Sequence, residues 1–155
     1  MKPEHHYTVD VAWLGNRGTG TSDYRAYGRQ SSVTAGGKHA IEASADRTFH
    51  GDADRWNPEE LLVAALSECH MLSFLHVAVM HGVVVTDYAD AAEGVMVQEG
   101  DGGHFTSVTL HPVVTVSEPI AAELFAALHH EASEKCFIAN SVNFPVRHEP
   151  VLVAG

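Results

Sequence analysis

The 155-residue chain is acidic, with a formal net charge of −11 and only nine Lys and Arg, while 45% of its residues are hydrophobic. That balance argues against nucleic-acid binding, which needs a basic face, and it supplies no basic amphipathic surface for an anionic membrane. The length fits a single domain over residues 1–155 with a real core. The N-terminal "MKPEHHYTVD" has no apolar signal core. The longest apolar stretch, Leu61 to Val85, is interrupted by Glu68, His70, His76 and His81. The expectation is therefore a soluble cytoplasmic protein without a membrane span.

In chain order, Tyr7 to Leu14 alternates and predicts a strand. The Gly-rich turn "GNRGTGTS" follows and carries Arg17. It lacks the Lys-Ser/Thr ending of a phosphate loop, and no helix pattern follows it. Tyr24 to Thr34 and His39 to Ala45 predict two more strands, split by the Gly36-Gly37 turn. After a polar loop, a long helix starts with Asn57 as cap, Pro58 in the first turn, and Glu59 and Glu60 at the positive end of the dipole. It runs to about His81, where Gly82 supplies the stop. Two β-rich stretches, Gly82–Gln98 and His104–Val116, are joined by the hairpin signal "EGDGG". A second helix begins near Pro119, and Cys136 lies just past its regular pattern. "FPVRHEPVLVA" closes the chain as a strand in which Pro145 and Pro150 limit the ladder.

The order βββ-α-ββ-α-β predicts an α+β fold, with antiparallel sheet packed on two helices. The first helix is apolar nearly all round and should be buried on several sides. A small domain has difficulty surrounding a helix of roughly 24 residues, about 36 Å long. A second subunit would supply the missing cover, so the expectation is a dimer with the first helices central.

Two cysteines, Cys69 and Cys136, are too few for a secreted disulfide framework. They are either small apolar core residues or redox thiols. A zinc site drawn from Cys69, His70, Cys136 and His130 has no local ligand spacing behind it. A reactive thiol needs its thiolate favoured by a cation, a helix N-terminus or a metal. Cys69 lies about three turns into its helix, beyond the useful reach of the dipole. From Trp56 to Glu134 there is no Lys or Arg. Any fixed cation beside Cys69 must come from Arg17, Arg25, Arg29, Arg47, Arg55, Lys135 or Arg147, and the glycines flanking Arg17 suit a close approach.

These stretches resemble the osmotically inducible protein C and organic hydroperoxide resistance (OsmC/Ohr) family. "NPEELLVAALSECHMLSFL" resembles its first-cysteine helix, in which Cys falls ten positions after Glu, as Cys69 does after Glu59. "GNRGTGT" resembles the turn that bears an essential Arg, matching Arg17. "HHEASEKCFIANSV" resembles the second-cysteine segment and places Cys136 there. His70 stands where many members have an aromatic residue, and Phe137 replaces the common Pro. The resemblance implies one OsmC-like domain in an intertwined homodimer, with antiparallel sheets around long central helices. It also implies reduction of organic hydroperoxides, with Cys69 as peroxidatic thiolate and Cys136 as its resolving partner through a disulfide. Arg17 would favour the thiolate and Glu59 would hold Arg17. No cofactor is implied beyond an external dithiol reductant, of lipoyl type for example. A non-catalytic small-molecule or stress-protective binding protein of the same fold is the alternative.

Ten helical residues advance about 15 Å. If Arg17 bonds both Glu59 and Cys69, those two residues should belong to different subunits near a twofold axis. Leu62, Leu66, Phe74, Phe137 and Phe144 are candidates to line an alkyl pocket, although helical spacing of this kind is more often plain core.

Overall fold

The computed structural model describes residues 1–154 and divides them into two compact units, Met1–Leu61 and the chain from Leu62 onward.

The first unit is built on a three-stranded antiparallel sheet of β1 (Asp10–Trp13), β2 (Ser31–Thr34) and β3 (Ile41–Ala43), in that order. The β1–β2 connection is a long loop whose two ends are clamped. Gly28 N donates to Gly15 O at 2.8 Å, and Trp13 Nε1 donates to Gly28 O at 2.9 Å. A Cβ on Gly15 would sit 1.8 Å from Gly28 O, so only glycine permits this closure. The predicted strand from Tyr24 is correspondingly shorter and starts at Ser31. Residues before it are drawn into the loop because the Arg29 guanidinium donates to Tyr24 O and Tyr27 O, each at 2.6 Å. Those carbonyls are thereby taken from any ladder.

The helix α1 (Pro58–Met80) begins at the end of this unit with a reciprocal cap. Asn57 Oδ1 accepts from Glu60 N at 2.8 Å, while Glu60 Oε1 accepts from Asn57 N at 3.3 Å. It ends one residue before His81, and Gly82 follows at φ 69°, a left-handed stop that glycine makes without strain.

The second unit holds the remaining strands and α2 (Ala122–Lys135). Each predicted β stretch is broken in two. The first gives β4 (Val85–Asp90) and β5 (Glu93–Glu99); the second gives β6 (Gly102–Leu110) and β7 (Pro112–Val116). β5 and β6 form the hairpin about Gly100, whereas β4 pairs with β7, so both stretches pass from one sheet to another. Asp90 marks the crossing, its Oδ1 accepting from His111 N at 2.6 Å just before Pro112. The closing strand is also two, β8 (Val146–His148) and β9 (Val151–Ala154), parted at Pro150. Both run parallel to their neighbours, β8 on β6 and β9 on β7. The two three-stranded sheets, β4-β7-β9 and β5-β6-β8, are therefore mixed: the expected antiparallel pairing holds for β4–β7 and β5–β6, and β8 and β9 each add a parallel edge. Prolines 145 and 150 interrupt the final segment, which lets each half join a different sheet as an edge.

The core lies against α1. Phe74, Val77 and Ala78 pack with Val114 and Val116 of β7 and with Phe125, Leu128 and Ala132 of α2. A turn or two earlier, Leu66 packs with Val108 and Leu110 of β6, flanked by Leu62, Phe105 and Phe144. At about 2 kcal/mol per large side chain, these contacts dominate the stability of the unit. By length and composition alone α1 is apolar enough to cross a membrane, a test that the core helix of a globular domain also meets. It is not buried all round: Leu72, Val79 and Met80 are 56%, 72% and 68% exposed. The apolar surplus of this helix is left open in the single chain.

Candidate active site

Cys69 sits midway along α1 and is half-buried; Cys136 caps the C-terminal end of α2 and is buried. The Cys136 carbonyl accepts from Asn140 N at 3.1 Å and from Asn140 Nδ2 at 3.0 Å, which fixes the chain as it turns away from α2. The two thiols lie close enough for each to influence the other. Burial pushes the Cys136 thiol up to about 11, with Cys69 adding to the rise and the N–H groups of Ala139 and Ile138 opposing it. Cys136 is thus protonated at neutral pH. Both sulfurs are free.

The first unit contributes the other two sequence-derived residues, and they are not paired with each other. Arg17 is exposed on the β1–β2 loop and makes no ion pair or side-chain hydrogen bond among the described residues. Its turn is ordered from beside it, by Asn16 Oδ1 accepting from Gly18 N at 2.9 Å and from Gly20 N at 3.0 Å. Glu59, in the first turn of α1, has a buried Oε2 with no hydrogen-bond partner. A buried carboxylate oxygen left alone is costly. Within the second unit the only fixed cations are Lys135, whose Nζ donates to Glu131 Oε1 at 2.5 Å, and the exposed Arg147.

His70 turns away from its neighbour Cys69. Its Nε2 lies 3.0 Å from His129 Nδ1 with the ring centroids 5.3 Å apart, and the two rings stack with His148 at 5.5 and 5.8 Å. Phe74 covers the His129 ring at 4.0 Å. Burial drives His70 down to about 4, assisted by His148 and opposed by Asp90. Burial likewise drives His129 down to about 3, assisted by His70 and His148. Both are neutral imidazoles at pH 7, so one donates and the other accepts. His129 Nε2 has no partner. This cluster was not legible beforehand; the signal was the phase of α2, which puts His129 with Phe125, Leu128 and Ala132 and leaves His130 outside. His130 is exposed and pairs with Glu134 at 3.3 Å. Among the described residues no three His, Cys, Asp or Glu side chains converge to hold a metal ion.

The five candidate pocket residues are not gathered together. Leu62, Leu66 and Phe144 share one core cluster, Phe74 belongs to the other, and Phe137 is 77% exposed.

Fold and site together define a class: α+β proteins in which a thiol on a long helix meets a second thiol just beyond another helix. The chain belongs to the OsmC/Ohr family, since the model of the OsmC-like protein family matches residues 51–150. An OsmC-like protein of unknown function from Vibrio cholerae is 31% identical, with a TM-score of 0.85 over 96% of this chain and 100% of that one. An organic hydroperoxide resistance protein OsmC from Legionella pneumophila shares the fold at 18% identity, with a TM-score of 0.70 over 97% and 98% of the two chains. The organic hydroperoxide resistance protein OhrB of Bacillus subtilis does so at 19% identity, with a TM-score of 0.60 over 95% and 98%. No curated protein matches the chain.

Proposed function

We propose that the protein is a thiol peroxidase that reduces organic hydroperoxides to alcohols in peroxide defence. The observation that carries this reading is the meeting of Cys69 and Cys136. The Cys69 thiolate attacks the distal peroxide oxygen; the O–O bond breaks, the alkoxide takes a proton and leaves as alcohol, and the sulfur becomes a sulfenic acid. The Cys136 thiol attacks that sulfur, water leaves, and a disulfide forms. An external dithiol, such as a lipoyl-type reductant, returns both thiols by exchange. This cycle needs no metal, haem or flavin and suits a reducing, cytoplasmic compartment.

Arg17 and Glu59 complete the site in this proposal. Because Glu59 and Cys69 stand about 15 Å apart on one helix, the arginine that bonds both joins residues of two subunits. The orphaned Glu59 oxygen and the exposed apolar residues of α1 support assembly into a homodimer.

The test is peroxide consumption with cumene hydroperoxide and a dithiol. Cys69→Ser should lose about 10³-fold or more in rate, as expected for loss of a nucleophile. Cys136→Ser should consume one equivalent and then stall, with mass spectrometry finding a Cys69–Cys136 disulfide only in the wild type. Full turnover by Cys69→Ser would remove the assigned nucleophile.

A further inference from the structure

The loop that carries Arg17 also builds a cleft that the thiol chemistry does not account for. Arg17, Arg25, Tyr27, Arg29 and His50 line a space of about 280 Å³ within the first unit. Three of the six arginines in a chain of net charge −11 face it. No carboxylate lines it. Asp23, the nearest acid in sequence, turns Oδ1 to the Arg25 backbone N–H at 2.9 Å rather than to a guanidinium. Asp52 is occupied by Gln30 and Ser44 at 2.8 and 2.9 Å.

The cleft is braced. Arg29 lies over the Tyr27 ring at 3.9 Å and spends two of its N–H groups on the Tyr24 and Tyr27 carbonyls, leaving three of the five that a guanidinium carries. His50 is the one non-glycine residue at positive φ among the described residues, at 63°. A turn capped by Asp46, whose Oδ1 accepts from Thr48 N at 2.7 Å, holds it in that conformation. Such conformations persist where the surroundings hold them and are concentrated at ligand sites.

We propose that this cleft binds a small phosphate monoester. Within this chain none of the three guanidiniums has an acidic partner, and with Arg17 turned to the cleft rather than to Glu59 they suit a dianion; a single carboxylate would leave two of them unbalanced. Guanidinium forks bond the oxygens of a phosphate in pairs, and they do so best where one fork is already fixed, as at Arg29. The volume is below that of a pocket for a drug-sized molecule, so it takes the head group and a short carbon chain. Tyr27 supplies part of the wall. The site shares Arg17 with the proposed peroxidase, but binding requires neither cysteine.

Calorimetric titration of the full chain at neutral pH and low salt tests this, with glycerol 3-phosphate, inorganic phosphate and acetate as probes. Glycerol 3-phosphate should bind at one saturable site with Kd below about 1 mM, and acetate at least about tenfold more weakly. Arg25→Gln should weaken glycerol 3-phosphate about tenfold, the loss of one charge-assisted contact, while retaining peroxide turnover; its side chain makes no bond that the fold needs. Cys69→Ser should bind glycerol 3-phosphate like the wild type, which separates this proposal from the peroxidase reading. Unchanged binding by Arg25→Gln, acetate binding as tightly, inorganic phosphate binding more tightly than the ester, or no saturation would each overturn it.

Discussion

The two units of the chain divide its chemistry by charge. Residues 1–61 hold seven of the nine Lys and Arg against nine of the twenty Asp and Glu, a net of −2; the rest holds two against eleven, a net of −9. The first unit is a short sheet with long polar loops; Arg29 is bonded to carbonyls and Arg55 pairs with Glu42 at 3.9 Å. The second is packed around α1 and keeps its reactive groups, two thiols and three imidazoles, buried or half-buried. The difference teaches where the proposed peroxidase would draw its parts: the second unit holds the sulfur and the first holds the cation.

The largest way to break that comparison is to remove the cation. Arg17→Ala should cost about 10² in kcat/KM for cumene hydroperoxide, in the range for loss of one preorganised charged donor. Glu59→Gln should lose less, because it acts on the thiol through Arg17. Steady-state kinetics over a range of pH measure both. If Arg17→Ala kept wild-type activity, the second unit would have to activate its thiol unaided, and the division by charge would fail.

Acid should separate the units next. His70 and His129 are held near 4 and 3 when folded, below the ordinary 6.5 that they regain on unfolding. The unfolded chain therefore binds more protons, and the stability from the neutral pair is complete above about pH 6.5 and lost as pH falls toward 4. Between pH 7 and pH 5 each imidazole should cost about 2 kcal/mol. Amide hydrogen exchange should show α1 and α2 losing protection at pH 5 while β1–β3 change little. Equal loss in both units, or none, would show that the buried imidazoles do not carry the acid sensitivity.

The smallest effect sharpens the packing contrast. A Cβ on Gly94 would lie 2.7 Å from Phe105 Cε1 and 2.8 Å from Val63 Cγ2, in the cluster around Leu66. Gly94→Ala should destabilise by about 1–2 kcal/mol in urea unfolding, the range for overpacking. On the open turn at Gly20 there is no such neighbour, and alanine is opposed there only by the positive φ of 57°.

Much of the fold was legible because it is local. The capping residues Asn57 and Glu60, the stop at Gly82 and the turn at Gly100 act within a few residues of themselves. What was not legible is long-range. Nothing near Ala91 or His111 shows that each β stretch crosses between sheets, since the partner that decides it, Asp90 with His111, is twenty-one residues distant. The parallel docking of β8 and β9 has no local signature either.

The sequence by itself determined the candidates: two thiols, a middle without fixed cations, and a helix more apolar than one small domain can cover. Only the tertiary structure decided which of them meet. It brought Cys136 to Cys69, turned His70 from the thiol into His129, and gathered three arginines around one cleft. Composition and periodicity report what a residue prefers; a thiol, an imidazole or a guanidinium acquires its protonation state and its partners from atoms that are distant along the chain and near in space.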